Sequence, residues 1–282
     1  MEDDLKTVLV IGATGNQGRH VVTHLLSDGW FVRGLTRNTS KPRARQLARM
    51  GVELVTADLR DDKSVQRALE GVYGVYYMLP LAKWAPAAGL RLAEQAQRAK
   101  VRHLVFSSVG GAERDVSVAH FVDKQKVENR ILQLGIPATI LRPVAYMDAL
   151  VNARALRLVL GFLKTFMPPD KRFQMIALDD IGAFAAQAFS KPEYYVGKSL
   201  ELAGDEMTVP ELEDTIKSVT GHEVRYFKIP KFIIHVLPKI AREMIGFYAK
   251  DGWKANIGAL RKLHPELLTF KAWLEKERIR KT

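Results

Sequence analysis

The 282-residue sequence contains no cysteine. This absence excludes disulfide bonds, thiolate nucleophiles and the cysteine ligands of zinc or iron–sulfur sites. No apolar run approaches the roughly 20 residues that a membrane-spanning helix needs. The start MEDDLKTVLV is acidic and passes directly into an apolar run, a pattern unlike that of a secretory signal peptide. We therefore expect a cytoplasmic protein.

Acidic residues are the scarcer charge, because 31 Asp and Glu stand against 43 Lys and Arg, which gives a net charge of +12. Basic proteins attract nucleic acids, anionic membranes and acidic ligands. The cations are scattered, however, and the densest clusters, RNTSKPRAR (37–45) and KERIRKT (276–282), match no helix-turn-helix, zinc-finger or RNA-recognition motif. We expect a solvated basic surface and no membrane span; association with nucleic acid or with a membrane surface is the weaker alternative.

Strands and helices alternate regularly through the first half of the chain. Six apolar, strand-like runs are separated by helix-forming segments, and they lie at 6–12, 30–37, 52–58, 72–80, 102–108 and 137–143. Short loops between alternating strands and helices predict a doubly wound parallel sheet, whose strands are apolar throughout because helices cover both faces. The expected fold class is therefore α/β, with a Rossmann-type sheet.

The regular alternation of strands and helices stops after the sixth strand-like run. The residues that follow combine helical segments with short strands, and no longer repeat the strand–helix unit. We expect a Rossmann domain over residues 1–143. A smaller C-terminal α+β lobe, for a substrate or a protein partner, is expected over residues 144–282 and returns in part to the main sheet.

Four segments of this lobe give specific expectations. RFQMIAL (172–178) and EVRYFKIP (223–230) have the composition of strands, and the first could rejoin the main sheet. LDDIGAFAAQAF (178–189) has the pattern of a helix, with Asp179 or Asp180 as its N-terminal cap. The tail that begins with residue 231 is expected to be mostly helical.

Three glycines, Gly12, Gly15 and Gly18, follow the first strand in the sequence VLVIGATGNQG (8–18). The free N–H groups and the dipole of a helix N-terminus attract phosphate. Glycine lets the backbone turn tightly and approach a pyrophosphate without a Cβ clash. A strand before the motif and a helix after it are the context that the motif requires. We expect this loop to bind the pyrophosphate of a dinucleotide.

No carboxylate ends the second strand, where LTRN (35–38) stands. An acid at this place would bind the adenosine ribose hydroxyls and favour NAD. Arg37 can instead pair with a 2′-phosphate, with help from Lys41 or Arg43. The predicted cofactor is therefore NADP(H).

Several segments together match a known pattern. They are IGATGNQG, LTRN, TADLRDDKSVQRALEG, HLVFSSVGG and AHFVDKQKVE, followed by ILRPVAYMDAL, LDDIG and YVGKSLELAG. In these segments the chain resembles the NmrA-like family of atypical short-chain dehydrogenase/reductases. The resemblance implies an NADPH-dependent reductase of a small carbonyl, quinone or unsaturated substrate. The alternative that it implies is a non-catalytic NADPH/NADP redox sensor that regulates a partner protein; a monomer or a homodimer is expected.

The resemblance also implies which residues touch the cofactor. Those implied for cofactor binding are Gly12, Thr14, Gly15, Asn16, Gln17, Gly18, Arg37, Lys41, Asp58, Leu59, Met78, Leu79, Pro80, Ser107 and Lys124. Among them, Asp58 stands for an adenine neighbour and Lys124 for the lysine that reaches the nicotinamide ribose. Tyr146 lies in the segment that passes the nicotinamide end in the family.

Typical short-chain dehydrogenases place Tyr-x-x-x-Lys on a helix, and this spacing puts both side chains on one face. The lysine lowers the pKa of the tyrosine, which exchanges a proton with the substrate oxygen. Here Lys124 is present, but His120 stands at the tyrosine position. In an enzyme, either His120 or Tyr146 would exchange the proton with the substrate oxygen. In the alternative, His120 is only a polar pocket residue, and the protein binds NADP without turnover. No metal site is predicted.

Overall fold

The computed structural model describes residues 6–114, 117–150, 152–250 and 252–279. These residues belong to two compact units. The first unit is drawn from residues 1–109, 123–142 and 181–200, and the second from residues 110–122, 143–180 and 201–282. The expected division of the chain at Pro143 is a simpler scheme and stays a prediction.

Strands and helices alternate up to Pro143, as the hydrophobic pattern predicts. The elements are β1 (Thr7–Ile11), α1 (Asn16–Ser27), β2 (Phe31–Thr36), α2 (Pro42–Arg49), β3 (Glu53–Thr56), α3 (Asp62–Leu69), β4 (Gly74–Met78), α4 (Ala85–Arg98), β5 (His103–Ser107), α5 (Ala119–Gln133) and β6 (Ala138–Pro143). Local signals set the helix starts: Asp61 caps α3 by accepting from the Lys63 N–H, and Pro42 is the first residue of α2.

The remaining elements are shorter and less regular. They are β7 (Ala145–Tyr146), α6 (Ala153–Phe166), β8 (Phe173–Ile176), α7 (Leu178–Ser190), α8 (Pro192–Tyr195), β9 (Ser199–Leu202), β10 (Asp205–Met207), α9 (Val209–Thr220), α10 (Lys239–Lys250), α11 (Ile257–Leu263) and α12 (Phe270–Ile279). Two 3-10 turns, Met147–Leu150 and Lys231–His235, stand between them. None of the helices in the described residues is long and apolar enough to cross a membrane.

The main sheet has seven strands in the order β3-β2-β1-β4-β5-β6-β9. Every neighbouring pair from β3 to β6 is parallel. Strand β1 lies between β2 and β4, so that Ile11 pairs with Leu35 on one side and with Tyr77 on the other. The connections run outward in opposite directions from β1, and this reversal opens a crevice at the carboxyl ends of the strands. The predicted doubly wound α/β fold is confirmed.

A second sheet, of three strands in the order β10-β8-β7, belongs to the second unit. Strand β8, within the RFQMIAL segment, pairs antiparallel with β10 and parallel with β7. The expectation that RFQMIAL could rejoin the main sheet is therefore wrong, and β9 is the late strand that does so. The sequence of a strand shows that it needs a partner, but it does not identify the partner.

The EVRYFKIP segment (223–230) forms no strand. It runs along α6 instead, where the Phe227 N–H donates to the Arg157 carbonyl at 3.2 Å and the Thr165 hydroxyl donates to the Ile229 carbonyl at 3.2 Å. Its backbone therefore pairs with a helix and not with a strand edge. This arrangement explains why a β-like composition gives no β-structure here.

The expected aspartate cap of α7 is also wrong. The helix begins at Leu178, whose N–H donates to the Asp148 carboxylate at 3.0 Å. Asp179 and Asp180 lie in the first turn of the helix, where negative charge suits the helix dipole. The Asp180 carboxylate is buried and accepts from the Leu268 N–H at 3.2 Å.

Candidate functional site

The glycine loop turns sharply between β1 and α1. Gly12 has a φ of +82°, and the Gly15 N–H donates to the Gly12 carbonyl at 2.8 Å, which closes the turn. Gly15 is the N-cap residue of α1, and it has no side chain that could cap the helix. The first turn of α1 contains no acidic residue. The N–H groups and the positive end of the dipole are thus left for an anion.

The other two glycines allow the loop and the helix to pack closely. A Cβ at position 18 would lie 2.1 Å from the Gly12 carbonyl oxygen, which is closer than any real contact. A Cβ at position 15 would lie 3.0 Å from the same oxygen. The G-x-x-G-x-x-G spacing therefore holds the backbone in the shape of a phosphate cradle, and the residues present fit a dinucleotide pyrophosphate.

A polar cleft of about 420 Å³ opens at the carboxyl ends of β1 to β4. Nine residues predicted to touch the cofactor line it: Gly12, Thr14, Gly15, Arg37, Lys41, Asp58, Leu59, Met78 and Pro80. The other six predicted residues, which do not line this cleft, are Asn16, Gln17, Gly18, Leu79, Ser107 and Lys124. The roles of all fifteen residues in cofactor binding stay predictions.

The far end of the polar cleft is cationic. Arg37 and Lys41 both line it and are exposed. Arg60 holds the Asp58 carboxylate through two hydrogen bonds, of 2.9 and 2.6 Å, and these lower the pKa of Asp58 to about 2. The charge of this aspartate is thus compensated by a neighbour that does not line the cleft, and Arg37 and Lys41 remain to meet an added phosphate.

Arg43 contributes differently from the expectation that it could assist Arg37. Its guanidinium donates to the Thr14 carbonyl and to the Asn16 side-chain oxygen, both at 3.3 Å. It therefore braces the glycine loop. Asn16 is held by this contact, outside the lining of the polar cleft.

Trp84 is a cleft residue that the sequence reasoning missed. It lines the polar cleft together with Ala82, is 36% exposed, and its ring centroid lies 5.7 Å from the Arg60 guanidinium. A flat aromatic surface of this kind can stack on a nucleotide base. The available signal was an aromatic residue four positions after Pro80, in the loop between β4 and α4.

Gln17, Ser107 and Lys124 form a second group in the first unit. The Gln17 amide nitrogen donates to the Ser107 hydroxyl at 2.9 Å, and the Lys124 ammonium donates to the Ser107 carbonyl at 2.9 Å. The Gln17 side-chain oxygen is buried and has no hydrogen-bond partner within the described part of the chain. A ligand hydroxyl would satisfy this oxygen, so the group fits the polar edge of a ribose.

Burial controls the charge of Lys124. Its ammonium lies 5.3 Å from the centroid of the Phe106 ring, and burial lowers the pKa of Lys124 to about 8, against a smaller opposing effect of Glu128. A lysine in this state is a hydrogen-bond donor that changes charge slightly above neutral pH.

The second unit contains a cavity of the same volume, about 420 Å³, but of different character. Aliphatic and aromatic side chains from β7, β8, α6 and α10 line it, with neighbours: Ala145, Tyr146, Ala149, Leu150, Val159, Phe162, Leu163, Phe166, Met167, Phe173, Met175, Ala241, Met244, Ile245, Tyr248 and Trp253. None of these side chains carries a formal charge at neutral pH. The indole N–H of Trp253 donates to the Gly110 carbonyl at 3.1 Å. Such an apolar cavity suits an uncharged, apolar molecule.

Two of the predicted catalytic residues belong to the second unit. Tyr146 lines the apolar cavity and is 37% exposed, and its apolar surroundings raise the pKa of its hydroxyl to about 12. His120 is half-buried in the first turn of α5, with its ring edge-on to Phe121 at a centroid distance of 4.7 Å. The catalytic roles proposed for them stay predictions.

Known proteins of similar sequence and fold share this architecture. The NAD(P)H azoreductase of Xenophilus azovorans is 29% identical over 227 residues, which cover 79% of this chain and 77% of the relative. The NADPH complex of the quinone oxidoreductase QOR2 from Escherichia coli has a TM-score of 0.81 at 21% identity, over 98% of this chain and all of the other. The NADP complex of the negative transcriptional regulator NmrA has a TM-score of 0.78 at 18% identity, over 99% of both chains.

At these identities the solved structures establish the fold, and the family rests on the sequence. The sequence model of the NmrA-like family matches residues 4–264, which is nearly the whole chain. The match spans the glycine loop, the basic end of β2, the lysine of α5 and both sheets. The chain therefore belongs to the NmrA-like family.

Proposed function

We propose that the protein binds NADP(H) in the polar cleft and reduces an uncharged carbonyl compound, quinone or other unsaturated molecule held in the apolar cavity. The observation that carries this proposal is the end of the polar cleft at β2, where Arg37 and Lys41 stand and the Asp58 carboxylate is already paired with a neighbouring arginine. That end fits a 2′-phosphate. NADPH, when bound, supplies the hydride for such a reduction.

Different residues of the first unit bind different parts of the cofactor. The N-terminus of α1 binds the pyrophosphate, and Arg37 with Lys41 binds the 2′-phosphate. Gln17 and Lys124, both fixed on Ser107, bind the hydroxyls of the nicotinamide ribose. The solved structures of similar fold that contain NADPH or NADP support NADP(H) as the cofactor.

The apolar cavity defines the class of substrate. Its volume, about 420 Å³, lies within the range of about 300–1,000 Å³ that is common for small-molecule sites. An anionic substrate would lose its hydration there and meet no cation among the lining residues. Tyr146 keeps its proton at neutral pH, since the ordinary tyrosine pKa of about 10 already lies well above 7 and burial raises it further, so its hydroxyl can donate a hydrogen bond to a substrate oxygen.

The test is NADPH oxidation by the purified protein with a panel of quinones, enones and azo dyes, followed by nicotinamide absorbance. Lys124→Ala and the exposed-site control Lys63→Ala run beside the wild-type protein. We expect turnover that the Lys124 variant loses and the Lys63 variant keeps. Turnover that survives in Lys124→Ala would contradict the ribose assignment.

A redox sensor is the second candidate function. The observation that favours it is His120, which stands four residues before Lys124 where typical short-chain dehydrogenases have tyrosine. The fold is shared with a negative transcriptional regulator, which is consistent with this alternative. Tight NADPH binding without turnover of any panel member, together with different hydrogen-exchange patterns in the NADPH and NADP+ complexes, would favour the sensor.

A further inference from the structure

Two segments of the second unit contain cations and no carboxylate at all. Residues 149–169, which include α6, contain Arg154, Arg157 and Lys164. Residues 224–242 contain five cations and lie between Glu223 and Glu243, the nearest acids in the sequence: Arg225, Lys228, Lys231, Lys239 and Arg242. Two acid-free segments of this length give the second unit a local positive charge.

The two segments pack directly against each other. The Phe227 N–H donates to the Arg157 carbonyl, and the Thr165 hydroxyl donates to the Ile229 carbonyl, both at 3.2 Å. Gly161 permits this approach, because a Cβ there would lie 2.2 Å from the Phe227 carbonyl oxygen. The exposed residues of 154–165, and those of the chain that continues from this contact through 225–242, are called here the basic–apolar face.

Large apolar side chains are exposed on the basic–apolar face. Val236 is 74% exposed and Phe232 is 67% exposed, and four others are between 38% and 46% exposed: Leu158, Tyr226, Phe227 and Ile240. Exposed cations are interspersed among them, at Lys228 and Lys231. Lys164 and Lys239 are excluded from this set because they pair with Glu213 at 2.8 Å and with Glu243 at 3.6 Å. Several large apolar side chains exposed in one region of a protein favour an interaction site there.

We propose that the basic–apolar face binds the surface of an anionic lipid bilayer. Phe232 and Val236 would enter the boundary between headgroups and acyl chains, while the lysines meet the lipid phosphates and carboxylates. A bilayer surface satisfies both properties of the face at once. A nucleic acid would meet the charges and could stack bases on the exposed aromatic rings, but it would leave the exposed aliphatic side chains Leu158, Val236 and Ile240 without an apolar partner.

Helices α6 and α10, which contribute residues to the basic–apolar face, also line the apolar cavity. Val159 and Phe162 of α6 and Met244 and Ile245 of α10 line it, while other residues of these helices contribute to the basic–apolar face. Docking would thus bring the walls of the cavity close to the hydrocarbon region of the bilayer, in which apolar molecules dissolve. This last consequence rests on the proposed function, whereas docking itself requires neither a cofactor nor a substrate.

The test is co-sedimentation of the full chain, without cofactor, with two kinds of vesicle. One kind is phosphatidylcholine alone, and the other contains about one third phosphatidylserine. We expect binding to the anionic vesicles only, and weaker binding as salt is added. Lys228→Gln with Lys231→Gln should lower the partition coefficient about 25-fold, because each cation near an anionic surface contributes roughly five-fold.

Matched variants show whether a loss of vesicle binding comes from the basic–apolar face itself, from the lower net charge or from misfolding. Arg45→Gln with Arg49→Gln removes the same charge from exposed positions on α2 and should leave vesicle binding within about two-fold of wild type. Phe232→Ser should lower binding about ten-fold. Unchanged circular dichroism and NADPH affinity verify the fold of each variant.

Three results would overturn the proposal. They are no binding to either kind of vesicle, equal binding to both kinds, and an equal loss in the α2 control pair. Binding of a short duplex or single-stranded oligonucleotide that the Lys228 and Lys231 changes abolish, without vesicle binding, would assign the face to nucleic acid. A protein without reductase activity would leave the vesicle measurement unaffected, so the two proposals fail separately.

Discussion

The polar cleft of the first unit and the apolar cavity of the second have the same volume, about 420 Å³, but only the cleft has charged side chains in its lining. Backbone groups, a helix N-terminus and two cations form the recognition elements of the cleft. Hydrocarbon side chains form nearly all of the cavity. The cleft concentrates its binding free energy in a few directional contacts, while the cavity spreads it over sixteen lining residues.

This difference predicts how each site responds to substitution. A charge-assisted hydrogen bond contributes about 1.5–3 kcal/mol and is lost entirely when its residue is changed. A partly buried aliphatic side chain contributes less, and its neighbours can close part of the gap. Single changes should therefore be severe in the first unit and mild in the second.

The largest effect is expected at Gly18. A Cβ there would lie 2.1 Å from the Gly12 carbonyl oxygen, so Gly18→Ala must displace the loop from α1. We expect NADPH affinity to fall by more than about 100-fold, because the cradle and the helix N-terminus lose their alignment. Isothermal titration measures this. Gly246→Ala, where a Cβ meets no atom within 4 Å, is the control and should leave binding unchanged; an unaffected Gly18→Ala protein would refute the cradle.

The second-largest loss of NADPH affinity is expected for Arg37→Ala. Loss of a charge-assisted contact predicts an NADPH affinity about 10- to 100-fold lower, with NADH affinity unchanged, because only NADPH has the 2′-phosphate. Competition binding with both cofactors measures the ratio. Arg45→Ala, exposed on the neighbouring helix α2, is the control. Equal losses for NADPH and NADH would remove Arg37 from cofactor selection.

A change in the apolar cavity should have a smaller and different effect. Ile245→Ser removes apolar contact and should raise the KM for an apolar quinone about five-fold, with NADPH affinity unchanged. Steady-state kinetics and a parallel cofactor titration separate the two quantities. A change in NADPH affinity with an unchanged KM would contradict the separation of roles between the two sites.

The last prediction concerns a different quantity, the pH dependence of the free energy of unfolding. Burial lowers the pKa of Lys124 from its ordinary 10.5 to about 8, so between these values the unfolded chain binds more protons than the folded chain. The free energy of unfolding should therefore rise with pH across this window, and be insensitive to this group below it. Denaturant titrations of wild type and Lys124→Met, with exposed Lys63→Met as control, measure the slope. A slope that Lys124→Met retains in full would exclude this lysine as its source.

The polar cleft was largely predictable from the sequence, because its determinants are local. The glycine spacing, the absence of an acid after β2 and the strand–helix alternation each occupy a few consecutive residues. Nine of the residues predicted to touch the cofactor line the cleft for this reason. Trp84 escaped prediction because a loop residue has no periodicity that shows which way it faces.

The second unit was harder to predict because its determinants are non-local. Strand β8 finds its partners in β7 and β10, and α7 is capped by Asp148, thirty residues before the first residue of the helix. The apolar cavity combines side chains from residues 145–175 with side chains from residues 241–253, which lie more than 60 residues further along the chain. Composition shows that these segments are buried or extended, but it does not show what each one packs against.

Trp84 has a consequence for how the protein can be studied. It lines the polar cleft at 36% exposure, whereas Trp253 and Trp273 are 8% and 3% exposed. Indole emission responds to a ring stacked against it, and reduced nicotinamide absorbs in the region where indole emits. Occupancy of the cleft should therefore quench the intrinsic fluorescence of the unlabelled protein. Comparison with Trp84→Phe would isolate that signal, so the protein contains its own optical reporter of ligand binding.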